Sequence, residues 1–91
     1  MKAYELIADP KNWIQGLSST KNLDGSTCYC ALGAIGECYR IGVSLEKYNY
    51  AVKKLANYIR MNSYGWAIVA WNDAPNRTHA EVVAALKACD L

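Results

Sequence analysis

The chain has 91 residues, 53% of them hydrophobic and 20% charged, and its ten Lys and Arg against eight Asp and Glu leave a net charge of +2. That length predicts a single domain over residues 1–91 and excludes multidomain enzymes and large cofactor folds. The charge excess is too small for direct nucleic-acid binding unless the cations cluster.

The opening, MKAYELIADP, has no long apolar stretch and no small-residue cleavage site, so it does not read as a signal peptide and a cytoplasmic protein is expected. Lys2 to Ala8 predicts a short helix with Ala3, Tyr4 and Ile7 on one side, stopped at Asp9-Pro10. Asp9 is expected to cap a second short helix carrying Trp13 and Ile14. Residues 16–27, GLSSTKNLDGST, read as loop. The turn dipeptide Asp24-Gly25 leaves room for a small β-hairpin near residues 20–28, pairing Asn22-Leu23 with Ser26-Thr27.

Cysteines stand at 28, 30, 38 and 89. In a chain without a secretion signal they read as reduced, mostly buried thiols rather than disulfides. Cys28, Cys30 and Cys38 lack the paired close spacing of a structural zinc site; convergence of these three with His79 is the minor reading, and no metal or cofactor is expected. In residues 29–41, Leu32, Ile35, Cys38 and Tyr39 recur at helical steps. Gly33 and Gly36 each cost a helix about 1 kcal/mol against Ala, which points to close approach by a neighbouring helix at the centre of the domain. Gly42 is a candidate C-terminal cap and Ser44 the next N-cap.

Leu45 to Met61 is the clearest element: Leu45, Tyr48, Val52, Leu55 and Ile59 form one apolar stripe. The other face carries Lys47, Tyr50, Lys53, Lys54, Asn57, Tyr58 and Arg60. With Arg40 against Glu46 alone, residues 40–60 carry a local charge of +4. Such a face suits phosphates or an acidic surface, or is simply solvated. Tyr64 to Trp71 is apolar throughout and too short to cross a bilayer, so no membrane partner is expected. Periodicity does not separate strand from helix here, and helix is preferred because no second convincing strand exists to pair with it. Asn72 to Asn76 is a cluster of turn formers. Thr78-His79-Ala80-Glu81 is a capping box, opening a helix that buries Val82, Val83, Leu86 and Cys89 and runs to about Ala88. The fold class is therefore mainly α, a compact bundle of four to five helices.

Two constellations could carry chemistry. Trp66, Trp71, Asn72, Asp73, Arg77, Thr78, His79 and Glu81 gather rings, donors and a helix N-terminus, an arrangement that suits an anionic, nucleotide-like ligand stacked on Trp66 or Trp71. Capping and turn formation explain much of the same set. A thiol hydrolase would use Cys30 as nucleophile, its thiolate stabilised at a helix start, with His79 as base and Asp73 or Asn72 as orienter.

Three segments carry a resemblance: Trp13-Ile14-Gln15-Gly16, Cys28-Tyr29-Cys30-Ala31-Leu32-Gly33-Ala34, and Ala70-Trp71-Asn72-Asp73-Ala74-Pro75-Asn76-Arg77-Thr78-His79-Ala80-Glu81-Val82. Together they resemble a family of small proteins of unknown function from actinobacteria and their phages, whose pattern runs W-x-x-G, W-C-A-x-G-A, N-D-A-P-x-R-T-H-x-E-V. This chain departs from it in having Tyr29 where Trp is frequent, a short loop before Cys28 and an extra lysine-rich helix. The resemblance implies a helical fold and a bacterial or phage setting, and supplies no assigned active site. From that setting the leading expectation is a non-enzymatic binding protein, an inhibitor of a host defence system such as a CRISPR effector, acting on a protein partner through Tyr50, Lys53, Lys54, Tyr58 and the Trp surface. Sequestration of a nucleotide-like ligand and a small Cys-His thiol enzyme are the alternatives.

Overall fold

The computed structural model describes residues 1–62 and 65–91. In chain order these hold α1 (Ala3–Leu6), a 3-10 turn (Pro10–Asn12), β1 (Ser19–Lys21), β2 (Thr27–Tyr29), α2 (Ala31–Tyr39), α3 (Leu45–Tyr58), α4 (Gly65–Asn72) and α5 (His79–Ala88). The mainly helical bundle with one small hairpin is what the sequence pattern predicts. The run after Asn62 is helical from Gly65 on; its expected first residue, Tyr64, lies outside the described residues.

α2 is the hub, packing on α1, α3, α4 and β2, while α5 closes the bundle against α1 and α3. Ile7, Ile35, Leu55, Ile68, Val82 and Leu86 are fully buried between them, each such side chain contributing about 1.5–3 kcal/mol. The Cα radius of gyration, 11.9 Å, is that of a closed globule of this length, about 12 Å.

Several elements differ from the sequence pattern. α1 is one turn, because Asp9-Pro10 leaves no length for it to propagate. Asp9 does act as a cap, its carboxylate accepting from the Lys11 amide, but the element it opens is a single 3-10 turn that ends before Trp13. Trp13 and Ile14 are extended instead: Trp13 bridges Tyr29, and the Ile14 amide donates to the Tyr29 carbonyl at 3.1 Å. The hairpin pairs Thr20 with Cys28 at its centre; Asn22 and Ser26 lie beyond the strands, joined by one backbone bond and by Asn22 Nδ2 donating to the Ser26 hydroxyl. α3 ends at Tyr58, three residues short of the predicted Met61, and Leu45 at its start is 58% exposed, so the apolar stripe begins at Tyr48.

The close approach at Gly33 comes from a loop. A Cβ there would run into the Ser18 carbonyl oxygen, which already accepts from the Cys30 amide. Gly42 does not cap α2, which closes at Arg40; with φ +73° it serves the turn into α3. Ser44 caps α3 as expected, its hydroxyl accepting from the Lys47 amide.

The chain ends meet. The amides of Ala3 and Tyr4 and the Tyr39 hydroxyl all donate to the Leu91 carbonyl, and Lys2 pairs with Asp90 at 3.2 Å.

Candidate functional site

The three motif segments converge on one side chain. Asn72, the last residue of α4, has no exposed surface. Its Oδ1 accepts from Trp13 Nε1 at 2.7 Å and from the Ala31 amide at 3.0 Å. Its Nδ2 donates to the Ile14 carbonyl at 3.1 Å and to Asp73 Oδ1 at 2.9 Å. Ala31 is the first residue of α2, so Asn72 satisfies an amide that a helix N-terminus leaves open. Cys30 satisfies another, its Sγ accepting from the Gly33 amide. Asp73 accepts from the Gly16 amide, and Gln15 Nε2 donates to the carbonyls of Asn72 and Ala74. The start of α2 is thus occupied by the protein's own groups.

The start of α5 is occupied as well. The Glu81 amide donates to the Thr78 hydroxyl at 3.2 Å and the Thr78 amide to Glu81 Oε1 at 2.9 Å. That pairing, with Arg77 beside it, holds the Glu81 carboxyl below its ordinary range. Arg77 donates Nε to the Trp71 carbonyl, lays its guanidinium 4.4 Å from the Trp71 ring centre and pairs with Glu81 at 3.2 Å. One face of Trp71 is therefore covered, and the Arg77 fork is engaged with this chain's own groups. Trp66, on the same helix, is 62% exposed.

The thiol constellation meets a different geometry. Cys30 is buried, and desolvation pushes its thiol up from the ordinary value, against the thiolate stabilisation expected at a helix start. His79 Nε2 lies 2.6 Å from the Ile7 carbonyl, which requires that nitrogen to carry the proton, and its ring sits against Trp13. The hydrogen bonds of the described residues join neither Cys30 to His79 nor His79 to Asp73. Nor do any three His, Cys, Asp or Glu side chains among the described residues converge as a metal would require.

The outer face of α3 is also open to solvent. Tyr50 is 66% exposed, with the Lys54 ammonium 5.9 Å from its ring centre; Tyr58, Lys53 and Asn57 are exposed beside it. Between α3 and the joined chain ends runs an open groove of about 500 Å³, lined by Lys2, Tyr39, Glu46, Lys47, Tyr50, Ala51, Lys54, Asp90 and Leu91. Lys2, Tyr39, Asp90 and Leu91 escape sequence reasoning as groove-lining residues, since nothing local signals that Leu91 meets α1 beside α3. The polar Asn72 directly after an apolar run is the one signal that could have pointed to the buried hub.

No helix among the described residues is long and apolar enough to cross a membrane. No curated protein and no solved structure matches the chain. A family described as "Family of unknown function (DUF6197)" matches residues 1–90, the whole span of the three motif segments, and the chain belongs to that family.

Proposed function

We propose that this is a non-enzymatic binding protein that acts by covering a surface of a protein partner, with α3 as its contact face. The bacterial and phage setting of the resemblance makes a host defence effector the favoured target, which the protein would inhibit by occupancy. One observation carries the reading: the polar motif residues are used internally, whereas Tyr50, Lys53, Asn57 and Tyr58 stand exposed on one helix. Tyrosines of this kind are typical interface anchors, and the lysines beside them supply charge complementarity. A nucleotide-like ligand at Trp71 would have to displace Arg77 from the ring and from Glu81. A thiol enzyme would have to work from a buried Cys30 held in its neutral form.

The test is a pull-down from a bacterial host, read by native mass spectrometry, with wild type and the charge reversal Lys53→Glu/Lys54→Glu. The expected result is a stoichiometric protein complex that the double variant loses while its circular dichroism stays unchanged. Cys30→Ser is expected to leave any inhibitory phenotype intact; a folded Cys30→Ser protein without that phenotype would overturn the reading in favour of the thiol enzyme.

A further inference from the structure

We infer that the groove between α3 and the joined chain ends takes an acidic, extended segment of the protein partner; this rests on the binding role just proposed and adds the site and chemistry of the contact. The first observation is electrostatic. The ion pairs of the described residues are Lys2–Asp90, Lys11–Asp24 and Arg77–Glu81. Arg40, Lys47, Lys53, Lys54 and Arg60 are absent from them, so the most basic stretch of the chain makes no direct ion pair, although Glu46 and Asp90 stand in the same groove. Arg40 and Lys54 lie over tyrosine rings instead, at 5.6 Å and 5.9 Å. The cations of α3 are thus free to meet carboxylates of a partner.

The second observation is spacing. Lys47 and Lys54 both line the groove, seven positions apart on one helix, a rise of about 10 Å. An extended chain of polyproline II type rises about 3.1 Å per residue and returns to the same face every third residue, so it covers that distance in about three residues with both ends facing the helix. Two carboxylates in the order acid, two neutral residues, acid would therefore reach both ammonium groups. Between the lysines lie the exposed Tyr50 ring and the buried Ala51, a small apolar floor for the neutral residues.

A nucleic-acid strand fits less well. Glu46 and Asp90 stand on the groove walls, where they would repel a continuous row of phosphates. A peptide can place its acidic residues at the lysines and its neutral ones opposite those carboxylates.

Fluorescence anisotropy tests this with a labelled extended peptide whose two glutamates are separated by two neutral residues, and with a labelled single-stranded oligonucleotide. Wild type, Lys47→Glu/Lys54→Glu and the distant control Lys21→Glu are compared at matched thermal stability. Peptide binding that salt weakens, that falls at least about tenfold in the double variant and that stays near wild type in the control is expected. Equal peptide binding by all three proteins, or tighter binding of the oligonucleotide than of the peptide, overturns the assignment. The host partner captured in the pull-down separates the two claims: a partner still held by Lys47→Glu/Lys54→Glu upholds the binding role and rejects this groove.

Discussion

Asn72 has two acceptor positions on Oδ1 and two donors on Nδ2, and the protein uses all four in a site with no solvent. Replacing it with Ala orphans the Trp13 indole N–H, the Ala31 amide and the Ile14 carbonyl together, at a cost of about 1–3 kcal/mol for each group left buried and unpaired. Asn72→Ala is therefore expected to lose about 3 kcal/mol or more in urea unfolding. Gln15→Ala, which removes two bonds to carbonyls of the same strand of chain but from an exposed side chain, is expected to lose less than about 1 kcal/mol. Similar losses for the two variants would show that Asn72 is not the organising residue. Beyond the polar Asn72 following an apolar run, none of this was visible in the sequence, because Asn72 finds three of its partners 59, 58 and 41 positions away. Read alone, Asn72-Asp73 is a turn former and a candidate ligand group, and only tertiary contact turns it inward.

Local signals were legible at the scale of elements. Ser44 and the Thr78-Glu81 box cap the helices that the chain pattern assigns to them, and Asp9 caps as expected though only a 3-10 turn, because donor and acceptor lie within three residues of each other. The box makes a pH prediction. The Glu81 carboxyl is held below its ordinary value, first by the Thr78 amide, then by the Thr78 hydroxyl and by Arg77. Its folded pKa is thus lower than its unfolded one, so its contribution is present above the unfolded value of 4.5 and is lost as pH falls through the folded one. Wild type should lose more thermal stability on acidification through that range than Glu81→Gln, which has no proton to gain; parallel curves would remove the box from the acid response. Helix glycines separate local from tertiary effects. By propensity, Gly33→Ala and Gly36→Ala should each gain about 1 kcal/mol. The structure divides them: a Cβ at Gly33 meets the Ser18 backbone oxygen, which cannot swing away, whereas one at Gly36 reaches only the edge of the Tyr48 ring at an ordinary 3.8 Å. Gly33→Ala is expected to lower Tm, as overpacking against backbone does at a cost of about 1–3 kcal/mol, and Gly36→Ala to hold or raise it. A rise in both would mean that the segment around Ser18, leading into β1, yields freely.

Whole-molecule closure links stability to the groove. α1 has four residues, far below the length at which a helix stands alone. It is held by the Leu91 carbonyl, by the burial of Ala3 and Ile7, and by the His79 contact to Ile7. Leu91 is 5% exposed and packs in the same core cluster while also lining the groove beside α3. Leu91→Ala should therefore cost about 2–3 kcal/mol, within the range for large-to-small core changes, and the loss should be local. Amides of Ala3 to Ile7 are expected to lose hydrogen-exchange protection before those of α2 and α3 do. The acidic peptide should also bind more weakly, although no lysine has been changed, because Lys2 and Asp90 move with the chain ends that form the wall opposite Lys47 and Lys54. Val82→Ala serves as the comparison: it empties a fully buried position in α5 that lines no part of the groove. If Val82→Ala weakens the peptide as much as Leu91→Ala at equal loss of stability, closure of the chain ends has no part in shaping the groove, and α3 must act as a free-standing basic face.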